Sequence, residues 1–185
     1  MKHSFSKNEL VIRPEQERDR PQILKVTRDA FLNLYEGAPA EPIEPVLLDW
    51  IWASEEYLPQ FSLLAEINGT IVAHAIATRG WVGQIPALGL GPISVLPEFQ
   101  RMGIGAALLA AIEEQARSEQ EPLIALLGST DYYPKFGYES AATHGIIPRS
   151  GLGRSLHGPH FGCGTAPRGN IPLCRTVRQN RHHLD

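Results

Sequence analysis

A chain of 185 residues with 43% hydrophobic and 20% charged residues is sized for one hydrophobic core and excludes both a disordered chain and a fibrous repeat. Lys and Arg number 17 against 20 for Asp and Glu, a net charge of −3, which removes bulk attraction to a phosphate backbone, so no nucleic-acid partner is expected. Cys163 and Cys174 are too few for the disulfide framework of a small secreted domain. No window approaches the roughly 20 apolar residues of a membrane span, and MKHSFSKNELVIRPEQERDR has no signal-peptide core, so the expectation is a cytoplasmic protein with no membrane partner.

Leu10 to Arg13 is the first predicted strand, closed by Pro14. Pro21 suits a first helical turn, and Ile23, Leu24, Thr27, Ala30, Phe31 and Leu34 recur at spacings of three and four, a helix expected to end near Gly37. Pro39, Pro42 and Pro45 predict an irregular connection from Gly37 to Pro45, followed by a second helix over Val46 to Glu55. Phe61 to Ile67 and Ile71 to Thr78 flank Asn68-Gly69, the pair that favours a type I′ turn, and predict an antiparallel hairpin.

Leu88 to Leu96 predicts a strand, Gly103 to Ser118 a helix with Ile104, Leu108, Ile112 and Ala116 at four-residue spacing, and Leu123 to Leu127 a buried strand. Joined this way they form a right-handed crossover with the two strands parallel, an α/β arrangement. One domain is expected over residues 1–150. Residues 151–185, rich in Gly, Arg and His, lose periodicity and read as an atypical tail, either ill-ordered or a strand whose partner the sequence does not name.

The segment GPISVLPEFQRMGIGAALLAAIEEQ carries the strongest local chemistry. An apolar strand ends at Leu96, a short turn follows, and Gly103, Gly105 and Ala106 open an amphipathic helix. Unpaired N–H groups at such a helix start favour an anion, and the missing side chains allow its close approach. Arg101 adds a charge at the rim. The same two glycines also suit close packing of a helix on a sheet. There is no GxxxxGK[ST] loop, and no acid stands on a second strand at dinucleotide spacing, so another nucleotide-linked ligand is indicated.

These residues resemble the GNAT superfamily of acyl-CoA-dependent N-acyltransferases. Its [QR]xxGx[GA] loop is matched by Gln100, Arg101, Met102, Gly103, Ile104 and Gly105, preceded by the LxVxP-like Ile93 to Pro97. YYPKFGY at Tyr132 to Tyr138 stands where the family has a tyrosine-containing short helix, and the likeness runs from Leu10 to Ile147. It implies a mixed central sheet with a splayed parallel strand pair and flanking helices. Backbone amides from Met102 to Ala106 would hold the diphosphate of acetyl-CoA, with the strand of Ile93 and Val95 beside its pantetheine and no metal required.

By the same resemblance Tyr133 would protonate the leaving thiolate, with Tyr132 as a neighbour pointing elsewhere, although aromatic packing also accounts for both. The implied reaction moves an acetyl group to a primary amine of a small molecule or peptide by direct attack in a ternary complex. Homodimers are common among such proteins. Glu66, His74, Ser94 and Asp131 are the candidate bases, with Asp131 equally suited to cap the short helix. Met102 departs from the family by replacing a common basic residue, and the segment after Phe161 lacks the usual closing strand pattern. Two other classes stay open: a catalytically idle acyl-CoA-binding module, and a zinc site drawn from His157, His160, Cys163, Cys174, His182 and His183, whose spacing is poor.

Overall fold

The computed structural model describes residues 9–32, 41–144, 146 and 170–176. The chain forms two compact units, Met1–Thr78 with Gly91–Glu113, and Arg79–Leu90 with Glu114–Asp185. The fold is a mixed α/β arrangement of strands and flanking helices, the expected class.

In the first unit β1 (Leu10–Pro14), β2 (Tyr57–Ile67) and the opening of β3 (Thr70–Val82) form an antiparallel meander. Asn68 and Gly69 have φ of 51° and 76°, the two positive values that a type I′ turn requires. β4 (Ile85–Val95) closes this unit with its second half, where the Leu96 amide donates to the Val72 carbonyl at 2.9 Å.

α1 (Arg20–Phe31) begins with Pro21 in its first turn, as expected, and buries Ile23, Val26 and Thr27. Just before it, Asp19 accepts from the Gln16 amide at 2.8 Å and from Arg13 at 2.7 Å, which fixes the entry of the chain. The expected helix end near Gly37 lies outside the described residues.

α2 (Glu44–Trp52) starts earlier than expected and takes Pro45 into its first turn. A proline there loses nothing, because the amide it lacks has no intrahelical partner at that position. Ile23, Val26, Leu48, Leu64, Ile71 and Ile76 form the core between these helices and the meander. Burying each such side chain contributes roughly 1.5–3 kcal/mol.

α3 (Ile104–Ser118) buries Ile104, Leu108, Ile112 and Ala116, all at 1% exposure or less, so the four-residue stripe is its inner face. In the second unit β5 (Leu123–Ser129) lies parallel to β4, in register over Leu88–Leu90 and Ile124–Leu126. That register ends at Leu90 and Leu126, while β4 runs on to Val95 and β5 to Ser129.

β6 (Glu139–Ser140) and β7 (Asn170–Thr176) complete this unit, with β7 antiparallel to both β5 and β6. The partners that the sequence did not name for a strand after residue 151 are therefore these two. A small core of Ala87, Leu123 and Ala141 sits here. Among the described residues no helix is long and apolar enough to cross a membrane.

Candidate active site

The loop between β4 and α3 is built to turn main-chain groups outward. Pro97–Phe99 makes one 3-10 turn, closed by the Phe99 amide donating to the Leu96 carbonyl at 2.9 Å. Gln100 Nε2 then donates to the Val95 carbonyl at 3.0 Å and ties the loop to the end of β4. Arg101 and Gly103 have φ of 62° and 87°, two left-handed residues in three.

The first intrahelical bond of α3 runs from the Ala107 amide to the Gly103 carbonyl at 3.0 Å, so the amides of Ile104, Gly105 and Ala106 have no partner within the helix. A Cβ on Gly103 would meet nothing within 4 Å, so the space before these amides is open. Ile104 is buried and anchors the turn, while Gln100, Arg101 and Gly103 are exposed and Met102, Gly105 and Ala106 half-buried. Ile93 and Val95 are half-buried on β4. Three free amides at the positive end of a helix, with Arg101 exposed beside them, can take a diphosphate without a lysine.

Also in the first unit, a polar network lies under α1. Glu15 follows β1, its side chain 1% exposed, and accepts from Tyr57 Oη at 2.8 Å, from Ser62 Oγ, and from His74 Nε2 at 3.1 Å. Burial alone would raise its carboxyl, but the bonds from His74, Ser62 and Tyr57 outweigh that and hold it below the ordinary range. Burial, and then Glu15 itself, push the Tyr57 phenol up to about 12. The Arg20 guanidinium stands 4.9 Å over the Trp52 ring.

His74 is fully buried, and its Nδ1 has no partner. In a serine–histidine–carboxylate relay the serine and the carboxylate bond opposite ring nitrogens. Here Ser62 and Glu15 both face Nε2, at 2.9 and 3.1 Å, so the ring cannot relay a proton between them.

The other candidate bases are placed as plainly. Ser94 is buried, shares a 3.0 Å hydrogen bond with Thr27 and donates to the His74 carbonyl at 3.4 Å. Glu66 accepts from Arg13, which also binds Asp19. Asp131 is exposed and caps nothing with its side chain; instead its amide donates to Ser129 Oγ at 3.2 Å. Glu15, Ser62, Tyr57 and Arg20 were not singled out from the sequence.

Tyr133 belongs to the second unit and opens the 3-10 helix Tyr133–Phe136, which Gly137 ends at φ 80°. Its ring meets Tyr132 edge-on at 5.1 Å and Tyr138 at 5.7 Å. A Cβ on Gly128 would lie 2.1 Å from Tyr133 Cε2, so this ring occupies the space that a side chain on β5 would fill. Burial, helped by Tyr132, pushes the Tyr133 phenol up to about 12, whereas Tyr132 is 40% exposed. A phenol so placed keeps its proton at neutral pH and can donate it.

His157, His160, Cys163, His182 and His183 lie outside the described residues. Among the described residues no group of three His, Cys, Asp or Glu side chains is arranged to hold a metal ion.

Residues 22–138 match the acetyltransferase (GNAT) family. The uncharacterized N-acetyltransferase YjhQ of Escherichia coli K12 is 36% identical over 92 residues, 48% of this chain and 51% of that protein, so the match spans about half the length of this curated relative. A GNAT family acetyltransferase from Brucella melitensis, solved in complex with acetyl-CoA, is 32% identical, with a TM-score of 0.63 over 71% of this chain and 83% of that one. The GNAT family N-acetyltransferase YhbS of Escherichia coli, solved with CoA, has a TM-score of 0.68 over 95% of this chain and 86% of its own at 17% identity, a likeness of fold.

Proposed function

Because this chain belongs to the acetyltransferase (GNAT) family, we propose that it moves the acetyl group of acetyl-CoA to a primary amine of a small molecule or peptide. The observation that carries this reading is the loop from Gln100 to Ala106, whose left-handed Arg101 and Gly103 free three amides at the start of α3. The acetyl-CoA held by the Brucella melitensis relative supports the choice of donor.

In this reading the amides from Met102 to Ala106 take the diphosphate, Arg101 adds charge, and Gln100 keeps the loop folded back on Val95. Ile93 and Val95 lie on the strand that runs beside the pantetheine, and a main-chain amide there polarises the thioester carbonyl. One such donor is worth a factor of roughly 100 to 1,000 in rate. The amine attacks the carbonyl carbon directly within a ternary complex. The C–N bond forms and the C–S bond breaks; Tyr133 gives its proton to the departing sulfur, and the proton that the nitrogen sheds on becoming an amide passes to water, from which Tyr133 is reprotonated.

The amine must arrive without its extra proton. The buried His74 and Ser94 and the Arg13-bound Glu66 are poorly placed to take that proton, which leaves the exposed Asp131 or water as the acceptor. The acetyltransferase domain is proposed to span residues 1–150 of a cytoplasmic protein able to form a homodimer, with 151–185 as an atypical tail. Release of free thiol from acetyl-CoA across a panel of amines tests the reaction, and a calorimetric titration with CoA tests the loop. Saturable CoA binding without thiol release from any amine would leave an acyl-CoA-binding module, and no binding at millimolar CoA would overturn both.

A further inference from the structure

Arg20 and Asp49 carry opposite charges on the wall of one cavity and do not pair with each other. The cavity has a volume of about 290 Å³ and is lined by Arg20, Pro21, Leu24, Asp49, Trp52 and Ala53. It is a shallow depression largely open to solvent, close in size to the lower end of the roughly 300–1,000 Å³ that small-molecule sites occupy. It belongs to the first unit.

Among the described residues the one ion pair of Arg20 is a 3.5 Å approach of its Nε to Glu15, outside hydrogen-bonding geometry, and Glu15 already has Tyr57, Ser62 and His74 as donors. The guanidinium instead lies 4.9 Å over the Trp52 ring and 5.7 Å from the Tyr57 ring, two cation–π contacts that hold it at this wall. Its Nε is buried and a hydrogen bond ties the guanidinium to Tyr57, while the side chain as a whole is 29% exposed, which leaves part of the fork open to a ligand. Asp49 is exposed, and no ion pair joins it to another described residue.

The helices reinforce this polarity. α1 begins at Arg20 and α2 ends at Trp52, so the positive end of one dipole and the negative end of the other flank the same space. Pro21, Leu24 and Ala53 give it an aliphatic floor. We infer that this cavity binds a free aliphatic α-amino acid, with its carboxylate on the Arg20 fork, its ammonium on Asp49 and its side chain on Leu24 and Ala53. A planar carboxylate can match the guanidinium fork with two parallel N–H···O bonds.

None of the six lining residues belongs to the loop of Gln100 to Ala106, and the inference does not depend on whether the chain transfers acetyl groups.

The test is a titration of ¹⁵N-labelled full-length protein, without CoA, read at the indole N–H signal of Trp52, which is identified by its loss in Trp52→Phe. L-Leucine is expected to shift this signal saturably. 4-Methylpentanoate and isopentylamine, which each keep one of the two charges on the same skeleton, are expected to need at least tenfold higher concentrations at equal ionic strength. Asp49→Asn, an exposed change, should raise the half-saturating leucine concentration at least tenfold and leave that of 4-methylpentanoate within twofold. A Trp52 signal that leucine does not move overturns the inference, as do equal responses to all three probes or an Asp49→Asn protein that binds leucine like its parent.

Discussion

Ser62 Oγ and His74 Nε2 meet at 2.9 Å because β3 contains one extra residue, Val72. Next to the turn Ile67 faces Thr70 and Glu66 faces Ile71, whereas beyond the shift Ala65 faces Ala73, Leu64 faces His74 and Ser62 faces Ile76. Had Val72 paired with Ala65 instead of bulging, the first register would continue, Ser62 would face Ala75, and His74 would face Leu63 on the opposite side of the hairpin. The bulge thus brings two polar residues of buried strands to one face, where Glu15 receives both.

Acid should expose the worth of that carboxylate. Glu15 titrates below its ordinary value of 4.5 in the folded chain, so the stability it contributes is complete above the unfolded value and is lost as pH falls through the folded one. Urea unfolding from pH 7 down to 3 is expected to show a steeper decline below about pH 4.5 for the parent than for Glu15→Gln. At pH 7 the variant should be less stable by roughly 1–3 kcal/mol, because an amide cannot satisfy the same three donors. Asp19 and Glu41 are also held low, by Arg13 and Arg28, so the difference between the two proteins isolates Glu15. Parallel curves would show that the Glu15 bonds add nothing.

A second prediction concerns the seat of Tyr133. Gly128→Ala places a methyl group 2.1 and 2.4 Å from two carbons of that ring and 2.8 Å from Leu126 Cδ1, so the ring must move. Overpacking of this kind costs about 1–3 kcal/mol, or a fall in Tm of roughly 2–4 °C per kcal/mol at this chain length. Differential scanning calorimetry checks the shift. An unchanged Tm would mean that the ring has room to swing aside.

These two cases show what the residues disclose on their own. The stripe of Ile104, Leu108, Ile112 and Ala116 and the Asn68-Gly69 turn are local patterns, and local hydrogen bonding and periodicity suffice to read them. The loop of Gln100 to Gly105 is legible for the same reason, since chain order alone puts a strand, a turn and glycines before a helix. Glu15 is not, because nothing beside it distinguishes it from Glu17, which is exposed; its burial depends on Tyr57, Ser62 and His74, up to 59 residues away. Its two strand partners share a face only through a bulge that the hydrophobic pattern does not announce. β7 escaped for a related reason: Asn170–Thr176 lacks alternation, and its place is set by pairing with β5 and β6 rather than by its own pattern.

The loop itself offers a substitution whose cost is conformational. Gly103 has φ 87° and open space around its missing Cβ, so Gly103→Ala meets no clash but strains the backbone by about 1–3 kcal/mol. Relief of that strain would turn the amides of Ile104 to Ala106. Calorimetry is expected to show CoA affinity weakened about tenfold, the equivalent of 1.4 kcal/mol. An affinity equal to the parent's would show that these amides do not hold the diphosphate.

Tyr133→Phe separates proton donation from packing. The phenol, pushed up to about 12 by burial and by Tyr132, stays protonated throughout the neutral range, so the parent's activity should show no loss from ionisation of this group below about pH 10. Phenylalanine keeps the ring contacts with Tyr132, Tyr138 and Gly128 and removes one oxygen. The expected result is a fall in kcat of roughly 100- to 10,000-fold, the usual contribution of a positioned acid, with CoA affinity and Tm close to the parent's. A change in which Tm falls but kcat, measured on the folded fraction, is retained would assign Tyr133 to the aromatic cluster and leave the leaving thiolate to be protonated by water.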